Sequence, residues 1–173
     1  MEQNVFKMGL IQFSIFLLIS ILTLSILFWF IKRFITKKHQ IENYNAALGI
    51  ISGGIVFSVF YIISALITPI ISTLKILDGI SDSWTYALES AKYISVLMLA
   101  AMFSALFICF VAINLVKRSY KDLKLFEEIK NDHIGLSIVI TTVLISFSLL
   151  LKDSLQLIFD SFVPYPQMPN LLN

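Results

Sequence analysis

The chain has 173 residues, of which 58% are hydrophobic, with a mean hydropathy of +0.88 and a formal net charge of +2. Soluble domains hold about 45–50% apolar residues, so this composition is not that of a soluble enzyme or binding domain, and so small a net charge speaks against nucleic acid as a partner. The lone Cys109 excludes an intrachain disulfide.

Four long stretches carry no charged side chain: Met8–Ile31, Ala46–Leu74, Tyr93–Val116 and Ile134–Leu151. A spanning helix needs about 20 mostly apolar residues to cross ~30 Å of hydrocarbon, and each stretch qualifies. The expected fold class is therefore all-α: a polytopic membrane protein with one integral domain over 1–173. Its four transmembrane helices, at about 8–31, 46–67, 93–116 and 134–151, are arranged as two hairpins.

The first stretch exceeds the ~7–15 apolar residues of a secretory leader and runs into Trp29-Phe30-Ile31-Lys32-Arg33 with no Ala-x-Ala-like site. It reads as a retained anchor. The second is too long for one straight crossing. Pro69 removes an amide donor and disfavours helix at Thr68, so the span is expected to end near Ile67, followed by a short interfacial piece before the Asp78-Gly79 turn. Ser81, Asp82 and Ser83 can cap the next helix, which is expected to run from Trp84 through the third span and beyond. The connector Lys117–His133 carries Tyr120, Leu123, Phe126 and Ile129 on one stripe. It is read as an extension of that helix, supported by pairs such as Lys124 with Glu128. A helix lying on anionic lipid and a partner-docking helix are its rivals. After the fourth span, Leu155, Ile158, Phe159 and Phe162 recur at helical spacing, either along the membrane surface or docked on the bundle, before Pro164, Pro166 and Pro169 stop regular structure.

Charge sets the expected topology. Lys32, Arg33, Lys37 and Lys38 follow the first span, and Lys117, Arg118, Lys121, Lys124 and Lys130 follow the third, which puts nine of the 13 basic residues on one side. Lys and Arg in short loops are retained in the cytoplasm, so both termini are expected outside it, with these interfacial basic residues meeting anionic headgroups on the cytoplasmic face. Trp29 and Tyr44 would then lie near the inner interface, and Trp84 and Tyr93 near the outer one.

The chain also repeats itself. Glu42-Asn43-Tyr44-Asn45-Ala46-Ala47-Leu48-Gly49 precedes the second span, and Glu128-Ile129-Lys130-Asn131-Asp132-His133-Ile134-Gly135 the fourth. Both fit E-x2-N-x3-G, each downstream of an apolar span ending in Lys-Arg. Two such hairpins, about 8–75 and 90–163, share one orientation, as a parallel repeat. Asn45 and Asn131 are read as helix caps, and Gly49 as a site of close helix approach; alternatively the two Asn residues line a polar entrance.

These residues resemble the DUF350 family of small bacterial inner-membrane proteins. Asn45, Ala47, Gly49 and Gly53 fit the family's first-half pattern, Gly135 the second, and Asp82 with Trp84 its Asp-Trp feature ahead of the third span. The resemblance covers about Met8 to Leu151. It implies the four-span architecture, the inner-membrane location, and a link to envelope stress or small-cation handling.

The span cores hold no Asp, Glu, Lys, Arg or His. Ionisable residues buried in membranes mark ion pathways and proton relays, so their lack argues against a proton-coupled carrier and leaves acid–base chemistry without a candidate pair. No enzymatic activity, cofactor or metal site is expected. His39 with Glu42 and His133 with Asp132 lack metal-ligand spacing and read as solvated interfacial groups, with mild pH sensing left open. Small residues recur four apart at Gly49/Gly53, Gly54/Ser58, Ala100/Ser104 and Ala101/Ala105/Cys109. They are expected to pack the second and third spans together, within one chain or between subunits. The expected function is a non-enzymatic membrane component, oligomeric or bound to other membrane proteins. The alternative is a channel subunit whose pore, formed on oligomerisation, is lined from Ser52, Ser58, Ser64, Thr68, Ser95, Ser104, Asn114, Thr141, Thr142 and Ser146. A phage-type holin is a third, more distant reading.

Overall fold

The structure is a computed structural model that describes residues 2–37, 45–77, 83–120 and 124–164, without the side chains of 2–8, 11, 12, 37 and 83. Its elements are all helical: α1 (Glu2–Phe30) with a π-helical continuation (Ile31–Lys37), α2 (Ala46–Ile63), a 3-10 turn (Ser64–Leu66), α3 (Ile67–Leu77), α4 (Ser83–Ser119), α5 (Leu125–Lys130) and α6 (Ile134–Asp160). Four helical stretches are long and apolar enough to cross a membrane: Phe13–Thr36, Ala46–Leu77, Trp84–Ser119 and Ile134–Asp160. The chain is a multi-pass membrane protein. Each stretch reaches past the limits drawn from charge alone, the first at its C-terminal end, because helix continues into residues that bear charge.

The span at α2 is the most enclosed of the four. Its principal neighbour is α6, and α4 packs against both. The two partners run parallel, since contacts climb both helices in step: Ile50 with Thr141, Tyr61 with Lys152, Thr68 with Gln156. The core between them is built from branched and small residues, among them Leu48, Ile51, Ile55, Val59 and Ile62 on α2, Ala101, Ala105, Cys109 and Ala112 on α4, and Ile140 and Leu144 on α6. In lipid, apolar surface gives little drive for association, so this combination works by letting backbones come close. By contrast α1 and its π-helical continuation lean on the bundle mainly through Ile19, Thr23, Leu27, Ile31 and Ile35, all buried, with Ile15 and Phe16 half-buried beside them, and expose much of their remaining apolar surface.

Two expectations are corrected. Pro69 does not end the helical stretch: the chain tightens into the 3-10 turn at Ser64–Leu66 and resumes as α3, with Pro69 as its third residue. The turn absorbs the missing proline amide, and α3 then buries Pro69, Ile70, Thr73, Leu74 and Leu77 against α4 and α6. The connector after α4 is not an extension of it. Helix stops at Ser119, and α5 is a separate short helix that buries Leu125 and Ile129 beneath the bundle. Of the two fates open to the segment after the fourth span, docking on the bundle is the one seen: residues 155–160 are the uninterrupted end of α6, anchored by Phe159 at 1% exposure, with Ile158 and Phe162 left outside.

α4 is a helix of 37 residues, about 55 Å long at 1.5 Å per residue. That exceeds the ~30 Å of hydrocarbon. One end of the bundle gathers Lys32 and Arg33 of the π-helix, Lys117 and Arg118 in the last turn of α4, and Lys124 ahead of α5, all exposed. We call this the basic end.

Candidate functional site

The densest polar construction among the described residues lies at the basic end, where α2 begins. The first amides of any helix lack intrahelical partners, and in or near lipid their neglect is costly. Asn45 is the N-cap of α2: its extended backbone precedes the helix, and its Oδ1 accepts from Leu48 N at 2.8 Å. The other side of the same amide group donates to Ile129 O at 2.7 Å and Lys130 O at 3.3 Å, the last carbonyls of α5. One side chain thus satisfies orphan groups of two helices at once.

A second residue completes the junction. Asp132 Oδ1 accepts from Ala47 N at 2.7 Å, so the carboxylate caps α2 from a different part of the chain and sits at the positive end of that helix dipole. To do this Asp132 takes a left-handed backbone, φ 62°, which Asn and Asp tolerate better than most residues. Beside it, His133 Nε2 lies 3.1 Å from Glu128 Oε2, and Lys124 Nζ lies 3.1 Å from Glu127 Oε1 rather than pairing with Glu128 as expected.

Higher in the bundle, α2 and α6 touch backbone to side chain. Thr141 Oγ1 donates to Ile50 O at 3.1 Å, and a Cβ placed on Gly54 would stand 2.8 Å from the Thr141 side chain. Towards the other end, Gln156 Nε2 donates to Thr68 Oγ1 at 3.4 Å, and Lys152 Nζ lies 4.9 Å from the centre of the Tyr61 ring.

The residues singled out from the sequence separate accordingly. Asn45 is in the junction. Gly49, half-buried, donates its amide to Asn45 O at 3.0 Å. Gly53 is exposed with nothing near its absent Cβ, and Gly135 likewise, so close approach falls on Gly54. Asn131 does not cap α6: it is the exposed C-cap of α5, and His133 precedes α6 without a side-chain cap. The two Asn residues therefore do different work, and Asp132 supplies what the motif assigned to Asn131, but to α2. Lys32, Arg33, Lys117, Arg118 and Lys124 are exposed, with Arg33 over the Trp29 ring at 5.7 Å. For Lys37 only the backbone is described, and Lys38, Lys121, His39, Glu42, Tyr44 and Asp82 lie outside the described residues.

The ten pore candidates do not converge on one face. Ser95, Asn114 and Thr142 are exposed and bond their own helix at Ala91, Phe110 and Ile138. Ser104 and Ser64 do the same at Ala100 and Tyr61. Thr68 and Ser146 are exposed, Thr141 joins α6 to α2, and Ser52 and Ser58 are buried with no protein partner for their hydroxyls. Of the small-residue pairs, Gly54/Ser58 and Ala101/Ala105/Cys109 are buried within the chain.

Composition pointed to Asn45 because Asn before an apolar run is a cap signal. Asp132 and Thr141 left no such signal, since their acceptor and donor partners lie on another helix. Comparison with curated proteins and with solved structures finds no match. A family model described as Domain of Unknown Function (DUF350) matches residues 5–155, most of the chain, and the protein therefore belongs to the DUF350 family.

Proposed function

We propose that this DUF350 member is a non-enzymatic, oligomeric component of the bacterial inner membrane, with both termini outside the cytoplasm and its basic end among anionic headgroups of the cytoplasmic leaflet. The observation that carries the reading is the use of polar groups: the inter-element hydrogen bonds of Asn45, Asp132, Thr141 and Gln156 all join α2 or α3 to α5, α6 or the turn between them. They serve cohesion, and no nucleophile–base pair stands among them. The parallel course of α2 and α6 agrees with two hairpins of one orientation. An open face of α2 at Gly53, beside exposed Phe57, offers a second copy the close approach that Gly54 gives α6.

Crosslinking in native membranes and light scattering in detergent test this. A defined oligomer that dissociates in Gly53→Leu supports the reading, and a monomer at all concentrations overturns it. A reporter active only in the cytoplasm, fused after Asn173, is expected to stay silent; activity would reverse the orientation. Liposome flux separates the channel alternative: tight vesicles remove it, and solute leakage overturns the purely structural role.

A further inference from the structure

A half-enclosed cavity of about 620 Å³ lies at the basic end between the end of the first helix, α2, α4 and α5, within the ~300–1,000 Å³ of small-molecule sites. Its walls are apolar: Phe30, Phe34, Ile55, Ile113 and Phe126 among them. Phe30 and Phe34 stack at 4.6 Å across the junction of α1 with the π-helix, so the widened turn presents both rings to the same recess. Such π segments are rare and recur at functional sites.

The chemistry at its polar edge is one-sided. Asn114 and Lys117, one turn apart on α4, are the polar residues of the lining, and no carboxylate is among them. The nearby described acids are engaged elsewhere: Glu127 by Lys124, Glu128 by His133, and Asp132 by the Ala47 amide. Among the described residues Lys117 has no anionic partner, and Asn114 uses its Nδ2 on Phe110 O at 2.8 Å, with a second N–H left over. An apolar slot ending in a lone cation matches an amphiphile with an anionic head.

We propose that this cavity holds one anionic phospholipid, its acyl chain between the Phe30–Phe34 pair and Ile113 and its phosphate on Lys117 and Asn114. This deepens the reading that the basic end meets anionic headgroups, by converting a diffuse attraction into a single site. The surrounding bilayer shelters an acyl chain from water as well as the slot does, so selectivity rests on the head.

The test uses the full chain with Trp84→Phe, which leaves Trp29, next to Phe30, as the sole tryptophan. The protein is placed in phosphatidylcholine vesicles with rising fractions of brominated-chain phosphatidylglycerol, and Trp29 fluorescence is read. Quenching is expected to saturate at a low mole fraction. Lys117→Gln should raise the half-saturation fraction about fivefold, Lys117→Arg should preserve it, and Arg118→Gln should change it less than twofold. Ile113→Phe, which fills the slot without touching charge, should abolish the saturable part; if that variant does not fold, Leu106→Phe fills the same cavity. Quenching that follows mole fraction without saturation, equal effects of Lys117→Gln and Arg118→Gln, or an intact saturable part in the filled variant would each overturn the site while leaving diffuse attraction standing. Equal quenching by brominated phosphatidylcholine and phosphatidylglycerol would overturn both.

Discussion

Substitutions at Asp132 separate two things this residue does, and their order can be worked out beforehand. The carboxylate accepts from Ala47 N at 2.7 Å, and the backbone holds φ 62°. A hydrogen bond to a charged group contributes about 1.5–3 kcal/mol, and a left-handed backbone costs an ordinary L residue about 1–2 kcal/mol. Asp132→Asn keeps an oxygen acceptor and tolerance of that backbone, losing only the charge. Charged bonds are roughly twice as strong as neutral ones, so its cost should be about 1 kcal/mol. Asp132→Gly loses the bond but relaxes the backbone, for about 1–2 kcal/mol. Asp132→Ala loses the bond and keeps the strain, for about 2–4 kcal/mol. Equilibrium unfolding in mixed micelles, followed by circular dichroism, reads the series. Asn least, Gly intermediate and Ala worst supports the trans-helix cap. If Ala matched Asn, or Gly were the worst, the Asp132–Ala47 bond would not be holding the junction. Asn45→Ala adds an internal check. It removes the cap on Leu48 and the bonds to α5, about 2–3 kcal/mol together, and should be non-additive with Asp132→Ala because both secure the first turn of α2.

Two adjacent glycines make the second prediction: for the dissociated chain Gly53→Ala should be neutral or slightly stabilising, whereas Gly54→Ala should cost about 1–3 kcal/mol, because its methyl meets Thr141 at 2.8 Å. Pairing with Thr141→Ser, which removes the methyl but leaves the Oγ1 that bonds Ile50, also 2.8 Å from that Cβ, should restore only part of that loss in the same unfolding assay. Breaking the Lys124–Glu127 pair with Lys124→Gln should change stability by less than about 1 kcal/mol, since both side chains are more than half exposed.

The four spans were legible because length and absence of charge are sufficient to define a membrane crossing. Asn45 was legible because an N-cap is a local event, decided within three residues. Asp132 was not, since its bond reaches an amide 85 positions away and its own neighbourhood looks like any polar turn. Gly53 and Gly54 are chemically identical, and only the face that meets α6, a tertiary fact, tells them apart. Pro69 was read correctly as a break in the hydrogen-bond ladder, yet the chain repaired it within one 3-10 turn because Ile70, Thr73 and Leu74 gain neighbours by staying helical. The same competition decided α5: isolated pairing of Lys124 with Glu128 favoured a longer α4, whereas burying Leu125 and Ile129 favoured a break.

The buried hydroxyls bear on whether α2 could ever line a wet path. Ser52 and Ser58 on α2 have no protein partner, and neither has Thr23 on α1 or Ser90 on α4. In a dry interior an unsatisfied hydroxyl costs about 1–3 kcal/mol, and truncating it removes that cost while opening little space. Ser58→Ala, at a position with no exposure, should then leave stability unchanged or raise it by up to about 1 kcal/mol. A hydrated conduit demands the opposite. There the hydroxyl exchanges bonds with water, and its loss should destabilise by about 1 kcal/mol and alter solute flux in liposomes. Ser58 lies six positions beyond Ser52, which turns them to different sides of the helix. A single file of water cannot serve both, whereas packing against α4 and α6 buries both. Stability that holds or rises in each single variant, with vesicles staying tight, follows from the packed arrangement; destabilisation with changed flux in either variant would refute it.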